Sequence, residues 1–176
     1  MITSASNKSI KNVQALLSKA KERKKQGVFV VEGPKMSFEA LYDWVSAVYM
    51  SESFFNDDRF KEEKKRFLDK TEIVSDSVFK SMSDTQTPQG VLAVVKMPHY
   101  DIDDLFKGDK TELLVLESIQ DPGNLGTMVR TGEGAGVSGI IMNRTTVDIF
   151  NPKTVRSTMG SLYRVPFYIT DDLRRL

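Results

Sequence analysis

Residues 116–142, LESIQDPGNLGTMVRTGEGAGVSGIIM, decide the fold of the second half of the chain. Their patterns of apolar, glycine and proline residues predict four elements in order: a strand over 112–117, a loop over 121–126, a helix over 125–135 and a strand over 138–142. Gly123 and Gly126 permit tight turns and a close approach of the backbone. A strand that leads through a loop into a helix and a second strand is the repeating unit of a parallel α/β sheet.

Two residues of this segment form the candidate site. Asn124 can cap the predicted helix and also hold a polar ligand, and Arg130 could turn toward the same strand-end crevice. Open α/β sheets bind ligands beyond the carboxyl ends of their strands. An ordinary connection with turn residues and a surface arginine explains the same pattern, so both interpretations stand. The TGEGAG stretch is not a dinucleotide motif, because its glycines follow a helix and do not open one.

A second cluster, NPKTVRSTMGSLYRVPF, occupies residues 151–167. Its Asn-Pro start predicts a helix with proline at the first helical position. The cluster contains three cations, Lys153, Arg156 and Arg164, which indicate either phosphate contact or a plain charged helix face. After a strand at 165–169, Asp171 predicts the N-cap of another helix, with Leu173 and Leu176 as its apolar pair.

Strand and helix also alternate in the first half of the chain. Apolar runs predict strands over 28–31, 45–50, 72–74 and 90–95, and the run KEEKKRF at 61–67 predicts a solvated helix. The acidic segment 97–111, which contains Pro98 and Gly108, predicts a linker. We therefore predict two α/β domains, 1–96 and 112–176, with mainly parallel sheets and the linker 97–111 between them.

Composition excludes several classes of protein. The chain has no cysteine and one histidine, His99, which excludes disulfides, thiol nucleophiles and metal sites built from several imidazoles, so we expect no metal. No apolar run of about 18 residues and no apolar leader are present, so we expect a soluble, cytoplasmic protein without membrane contact. A net charge of +1 means that the whole molecule is not a polycation.

Positive charge is nevertheless concentrated at the N-terminus. Residues 1–25 contain seven basic residues and one acidic residue, a balance of +6. Apolar residues recur there at helical spacing and predict one amphipathic helix that ends at Gly27: Ile10, Val13, Leu17 and Ala20. A basic helix of this kind either follows the phosphates of a nucleic acid or forms a solvated face that keeps the protein soluble.

The motifs of both halves resemble the SpoU/TrmH-type RNA ribose 2′-O-methyltransferases of the SPOUT superfamily. The resemblance rests on DPGNLGTMVRT and NPKTVRSTMGSLYRVPF in the second half, and on FVVEGPKM (29–36) and SDTQTPQGVLAVV (83–95) in the first. It implies an L30e-like RNA-binding domain followed by a parallel-sheet domain with a deep trefoil knot that binds S-adenosylmethionine. It also implies a homodimer that methylates ribose 2′-hydroxyls, commonly in ribosomal RNA.

The resemblance assigns residues as well. Arg130 matches the family's catalytic arginine, and Asn124 matches its partner in the same motif. Because an arginine stays protonated, orienting the phosphodiester and stabilising the developing alkoxide is an easier role for Arg130 than general base. We expect RNA to contact Lys8, Lys24 and Lys35 in the first domain, and Lys153 and Arg156 in the second.

The sequence also departs from the family pattern. The later motifs G-x-E-x-x-G and S-L-N-V-S-x-A do not occur in these 176 residues, so the knot is expected to be incomplete. No cofactor-binding residue is therefore assigned, and we expect the chain alone to bind S-adenosylmethionine poorly. Two alternatives stay open: a non-catalytic RNA-binding module on the same fold, and a ribose methyltransferase that acts on transfer RNA.

Overall fold

The computed structural model describes residues 1–108 and 110–175 and divides into two compact units, Met1–Met97 and Pro98–Leu176. In the described residues each unit has its own β-sheet, four-stranded in the first and three-stranded in the second. Both units combine helices with strands, so the predicted α/β class is confirmed.

The first unit contains a mixed sheet. Its elements in chain order are α1 (Lys8–Ser18), α2 (Ala20–Gln26), β1 (Val28–Glu32), α3 (Pro34–Glu39), β2 (Val45–Ser51), α4 (Glu52–Asn56), α5 (Lys61–Arg66), β3 (Thr71–Val74), α6 (Asp76–Met82) and β4 (Val91–Lys96). The strand order is β1-β4-β2-β3; β2 and β3 are parallel, whereas β4 is antiparallel to both β1 and β2. The prediction of a mainly parallel sheet is therefore wrong for this unit.

The direction of β4 follows from the loop that precedes it. Glu32, at the end of β1, accepts hydrogen bonds from Ser83 Oγ at 2.5 Å and from Thr85 Oγ1 at 2.6 Å. These bonds hold the loop at the edge of the sheet where β1 ends. The chain therefore enters β4 from that edge and runs back beside β1, which makes the pair antiparallel.

The basic N-terminal segment forms two helices, although one was predicted. Lys19 has an extended backbone that separates α1 from α2, and the segment ends at Gly27, with φ 64°, as predicted. Arg23 is buried, and its Nη1 donates to the carbonyl oxygen of Leu16 at 2.8 Å. One of the seven basic residues thus supplies a hydrogen-bond donor to a carbonyl oxygen in the last turn of α1. The buried residues of α1 are Ile10, Val13 and Leu16.

The second unit contains the parallel sheet that the sequence predicted. Its elements are β5 (Leu113–Leu116), α7 (Pro122–Ala135), β6 (Gly139–Asn143), α8 (Pro152–Thr158) and β7 (Phe167–Thr170). The strand order is β5-β6-β7, and both pairs are parallel. Each helix therefore crosses from the carboxyl end of one strand to the amino end of the next, which brings the starts of α7 and α8 to one edge of the sheet.

The segment predicted as a linker is folded onto the second unit as far as it is described. A 3-10 helix spans Ile102–Phe106, and Leu105 within it is buried. A Cβ added to Gly139 would lie 2.4 Å from Leu105 Cγ, and the ring of Tyr100 packs edge-on against Phe167 with centroids 5.4 Å apart. The aspartates of this segment indicated a linker, but its apolar residues attach it to the sheet.

The helix predicted to start at Asp171 is only a 3-10 turn. Asp171 pairs with Arg144 and caps nothing, and the turn spans Leu173–Arg175. Asp172 accepts the backbone N–H of Arg174 at 3.0 Å. Leu176, the second member of the predicted apolar pair, lies outside the described residues.

A buried lysine holds α4 and α5 together. Lys64, predicted to belong to a solvated face, is 5% exposed. Its Nζ donates to the carbonyl oxygens of Phe54 at 2.6 Å, of Phe55 at 3.1 Å and of Asp57. The last carbonyls of a helix have no partner within the helix, and a cation is favourable there. The ammonium group of Lys64 therefore closes the end of α4.

Replacing Lys64 by Met should destabilise the first unit. The substitution keeps most of the side-chain volume but leaves buried carbonyl oxygens without a donor, which costs about 1–3 kcal/mol. Urea unfolding followed by the fluorescence of Trp44, the only tryptophan of the chain, measures the loss. Lys65→Met is the matched control, because Lys65 is exposed and its one partner in the described part of the chain is Glu62, at 2.8 Å. Equal stability of the two variants would contradict the role given to Lys64.

Candidate functional site

Hydrogen bonds join the loops that follow β5 and β6 at the carboxyl edge of the parallel sheet. Asn143 Oδ1 accepts from the backbone N–H of Ser118 and from Thr146 Oγ1, each at 2.9 Å. Ser118 has a left-handed backbone, φ 55°, and its hydroxyl lies 2.7 Å from that of Thr145. Gln120 Nε2 donates to the carbonyl oxygens of Ser118 and Thr145 at 3.1 and 2.8 Å. These polar groups bond one another and do not form a ready site for a cofactor.

Asp121 fixes the start of α7. Its Oδ1 accepts the backbone N–H of Asn124 at 2.7 Å, and Pro122 occupies the first helical position. This hydrogen bond, helped by the nearby Lys153, lowers the pKa of Asp121 below its ordinary value. The prediction that Asn124 caps the helix is wrong, because the helix begins three residues earlier than predicted. Asn124 is the third residue of α7, and it is exposed.

Asn124 and Arg130 lie at the two borders of the exposed face of α7, about 120° apart around the helix axis. Thr127 lies between them and is also exposed, and residues three apart are neighbours on a helix surface. The six positions between Asn124 and Arg130 correspond to about 9 Å along the helix axis. Arg130 forms no hydrogen bond or ion pair with the residues that the structure describes. Its guanidinium is therefore available to an anionic ligand.

Gly126 allows α7 and α8 to pack in close contact. A Cβ at this position would lie 2.4 Å from the Cβ of Ser157 and 2.6 Å from the carbonyl oxygen of Thr154. Both distances are too short for any side chain, and neither neighbour is the flexible end of a long residue. The close approach expected at Gly126 is confirmed, although this residue lies inside the helix and not in the predicted loop.

The two candidate cations of α8 have different surroundings. Lys153 is exposed, and its Nζ lies 3.6 Å from the carboxylate of Asp121 at the start of α7. Exposed pairs of this kind contribute little to stability, so Lys153 can exchange the carboxylate for a phosphate. Arg156 is half-buried. The structure thus brings Lys153 next to Asp121, the residue that positions Asn124.

Arg164 is bound by a carboxylate and adds no free charge to the cluster. Glu133 on α7 accepts from Arg164 Nε and Nη2 at 2.9 and 3.2 Å, and from Ser161 Oγ at 2.9 Å. These bonds fasten α7 to the 3-10 turn Ser161–Tyr163. Sequence reasoning missed Glu133, for which the only signal was an acidic residue between the glycines of TGEGAG.

The three candidate lysines of the first unit are exposed but lie apart in the fold. Lys8 is at the start of α1, Lys24 is on α2 and Lys35 is in the first turn of α3. Lys35 lines a recess beside the carboxyl edge of the four-stranded sheet, and Lys8 and Lys24 do not line it. The fold thus distributes the three lysines that were expected to contact RNA over three helices.

No group of three or more histidine, cysteine, aspartate or glutamate residues could hold a metal ion in the described parts of the chain. None of the described helices is both long enough and apolar enough to cross a membrane.

Two family models match the chain, one in each unit. The MRM3-like substrate binding domain matches residues 7–93, and the SpoU rRNA Methylase family matches residues 112–176. Together these models account for both of the motif sets that carried the resemblance.

Individual relatives are similar over nearly the whole chain. The 23S rRNA (guanosine(2553)-2′-O)-methyltransferase RlmP of Bacillus subtilis is 34% identical over 166 residues, which cover 94% of this chain and 63% of that protein. The mitochondrial rRNA methyltransferase 3 of Homo sapiens is 30% identical over 89% of this chain and 38% of its own length. A solved structure, the AdoMet-bound rRNA methyltransferase from Sinorhizobium meliloti, has a TM-score of 0.84 at 28% identity and covers 99% of this chain and 66% of the other. The chain spans less than two thirds of each of these proteins.

The fold and the exposed face of α7 define an α/β protein whose candidate site lies by the carboxyl edge of a parallel sheet. The chain belongs to the SpoU methyltransferase family, with a first unit of the MRM3-like substrate-binding type. The resemblance inferred from the motifs is thereby confirmed.

Replacing Gly126 by Ala should separate α7 from α8 and destabilise the second unit by about 1–3 kcal/mol, because the added methyl group overlaps backbone atoms. Gly134→Ala is the matched control: Gly134 lies in the same helix, and a Cβ there has nothing within 4 Å. Alanine should stabilise that position by up to about 1 kcal/mol. Hydrogen exchange of the β6 amides, measured by mass spectrometry against denaturant, reports on this unit. Equal protection in both variants would show that the helices do not need glycine at their contact.

Proposed function

We propose that the whole protein is an RNA ribose 2′-O-methyltransferase that acts on ribosomal RNA and uses S-adenosylmethionine as methyl donor. The observation that carries the proposal is the exposed face of α7, where Asn124 and Arg130, which has no partner among the described residues, follow the first strand of a parallel sheet. Relatives that share both units support the substrate, since the Bacillus protein is named for 2′-O-methylation of 23S rRNA.

Arg130 binds RNA and stabilises charge in this proposal. The ribose 2′-hydroxyl would pass its proton to water while its oxygen takes the methyl group from the sulfonium sulfur of the donor, which would leave as a neutral thioether, so negative charge develops on that oxygen during transfer. A guanidinium keeps its proton in proteins and is therefore an electrostatic group, not a base. Arg130 orients the adjacent phosphodiester through paired N–H donors and stabilises the developing alkoxide.

Asn124 is the second catalytic residue of the proposal. Its amide offers both donors and an acceptor. Asp121 fixes the backbone of Asn124 at the start of α7, so the amide is held on the exposed face. We assign it to the ribose and its backbone, where it keeps the 2′-oxygen in register with Arg130.

RNA binding is divided between the two units. We assign residues 1–96 as the RNA substrate-binding domain, 97–111 as the connecting segment and 112–176 as part of the methyltransferase domain. The family model of the first unit is one of substrate binding, which supports this division. Phosphates contact Lys8, Lys24 and Lys35 in the first unit, and Lys153 and Arg156 in the second.

The chemistry supplied by S-adenosylmethionine is an activated methyl group, and no residue of this chain is assigned to hold it. The polar atoms at the carboxyl edge of the parallel sheet already bond one another, as Asn143 and Ser118 do. We further propose that the whole protein is a homodimer in the cytoplasm, which accords with the family resemblance and with ribosomal RNA as substrate.

Arg130→Lys in the whole protein should lower methyl transfer by at least about 100-fold, because the ammonium group keeps the charge but cannot form a paired contact with a phosphodiester. Transfer of a radiolabelled methyl group to ribosomal RNA measures the rate, and resistance of the product to alkaline hydrolysis identifies the 2′-position.

Arg174→Lys is the control, because Arg174 is exposed and bonds Asp172 outside the proposed site. It should retain the full rate. Unchanged transfer in Arg130→Lys would remove Arg130 from the mechanism. Methylated product that alkali cleaves normally would overturn the ribose assignment, and methylation of transfer RNA alone would favour the alternative substrate.

RNA binding by the 176-residue chain should weaken as salt increases, since lysines that neutralise phosphates release counterions. Lys8→Ala and Lys24→Ala should each weaken binding to single-stranded RNA and reduce the slope of log K against log salt by about 0.7. Fluorescence anisotropy with labelled RNA measures both quantities. Lys65→Ala, an exposed lysine bonded to Glu62, is the control and should leave the slope unchanged. Affinity that does not depend on salt would count against phosphate contacts by either helix.

A further inference from the structure

The first unit has a cleft at the carboxyl edge of its own sheet. The ends of β1 and β2 and the start of β4 border it, at Pro34, Ser51 and Gly90. Its volume is about 610 Å³. A smaller recess of about 460 Å³ lies beside it, and the two share Pro34, Phe60 and Gln89 as lining residues. Phe60 therefore forms a wall common to both cavities.

The backbone of Phe60 is strained. Its φ and ψ are 59° and 31°, in the left-handed region that bulky side chains rarely adopt. Phe60 also occupies the N-cap position of α5, where a short polar side chain is normally preferred, and it makes no capping hydrogen bond. Glycine or asparagine would suit this backbone better. Strain of this kind persists where the surroundings impose it, commonly at binding sites.

The strained backbone presents the Phe60 ring to solvent. The residue is 37% exposed, although its ring packs against Phe54, with centroids 5.9 Å apart and planes 22° from parallel, and against Phe38 at 5.8 Å. The two partner rings are buried and keep Phe60 in place. The result is a rigid, partly open aromatic surface between two cavities.

Cationic side chains border this surface. Lys35 lines the smaller recess and Lys80 the larger one; both are exposed, and neither bonds any other described residue. The two acidic residues of the larger cleft already have partners: Asp57 pairs with Arg59 at 2.6 Å, and Asp76 accepts from Ser53 Oγ at 2.5 Å. In the smaller recess Lys35 shares the lining with the exposed carboxylate of Glu63, so Lys80 is the charged group left available in the larger cleft and Lys35 and Glu63 are those left in the recess.

We infer that the Phe60 cleft binds an unstacked base of single-stranded RNA, with the base on the Phe60 ring and the flanking phosphates on Lys35 and Lys80. Aromatic rings that carry bases between cationic side chains are the usual means of holding single-stranded nucleic acid. An apolar peptide would use the ring but would leave both ammonium groups without a partner. The inference rests on the proposed function, because the occupant is RNA.

Phe60→Leu tests the stacking contact. Leucine keeps an apolar side chain at the strained position but removes the flat ring, so affinity of the full chain for a short fluorescein-labelled single-stranded RNA should fall by about 5- to 100-fold. Phe60→Tyr should retain wild-type affinity. Phe106→Leu is the matched control, because Phe106 is 51% exposed in the second unit and does not line the cleft. Circular dichroism melts establish that the variants are folded.

Two further measurements separate the inference from the proposed function. Lys35→Ala and Lys80→Ala should each lower the salt slope by about 0.7, and RNA containing 5-iodouracil should crosslink under ultraviolet light to the peptide that contains Phe60. Wild-type affinity in Phe60→Leu, with crosslinks confined to α1 and α2, would overturn the inference and leave RNA methylation intact. If the whole protein methylates no RNA, the proposed function is overturned, whereas a crosslink to the Phe60 peptide would still support the inference. The crosslink to the Phe60 peptide can also be measured in the presence of competitors. If apolar peptides abolish it and unlabelled RNA does not, the cleft is a peptide site and the inference is refuted.

Discussion

The absence of a side chain at Gly126 is the constraint on which the second unit depends. The carbonyl oxygen of Thr154 lies only 2.6 Å from the place of a Cβ, so α7 and α8 are closer here than any side chain at this position would allow. This contact sets the position of the start of α8 against the start of α7, where Lys153 approaches Asp121. Glu133, bonded to Ser161 and Arg164, fixes the other end of α7. With both ends held, the face that carries Asn124 and Arg130 has a single orientation on the unit.

Both units place a candidate site at the carboxyl edge of a sheet, but they use different chemistry there. In the second unit the edge is polar, and its loops are joined through Asn143 and Ser118. In the first unit the edge is aromatic, with Phe54 and Phe60 beside the ends of the strands. A polar edge suits the positioning of a reacting ribose, whereas an aromatic edge suits the retention of a base. Both candidate sites therefore follow the rule that open α/β sheets bind ligands beyond the carboxyl ends of their strands, but the side chains at the two edges differ in chemistry.

Local signals predicted the parts of the fold that local interactions determine. Asn151 and Pro152 start α8, Gly27 ends the basic N-terminal segment and Gly136 ends α7, because each of these interactions lies within a few residues of the chain. The parallel sheet of the second unit was predictable for another reason, because strands that alternate with single helices run in the same direction. The direction of β4 was not, since the bonds from Ser83 and Thr85 to Glu32 join residues about fifty positions apart.

The surroundings of long cationic side chains were the least predictable feature of the structure. Arg23, Lys64 and Arg164 looked like surface charge in the sequence. Each has a partner that only the tertiary fold provides: a helix-end carbonyl for Arg23, three carbonyls for Lys64 and a carboxylate for Arg164. Arg130 has the same sequence character and is unpaired among the described residues. A sequence therefore indicates where cations lie, while the fold decides which of them remain for a ligand.

The cations that remain without a partner in the described part of the chain matter for how a chain of net charge +1 can hold an anionic polymer. Attraction over long distances is weak for such a molecule, so affinity must come from short-range contacts at particular places. In the proposed RNA complex, lysines on α1, α2 and α3 supply contributions that salt screens. In the same proposal a base on Phe60 supplies one that salt affects little, because stacking does not displace counterions. The contact of a base with Phe60 therefore matters most at high salt, where electrostatic attraction is weakest. RNA held there under those conditions would be positioned by its bases more than by its phosphates.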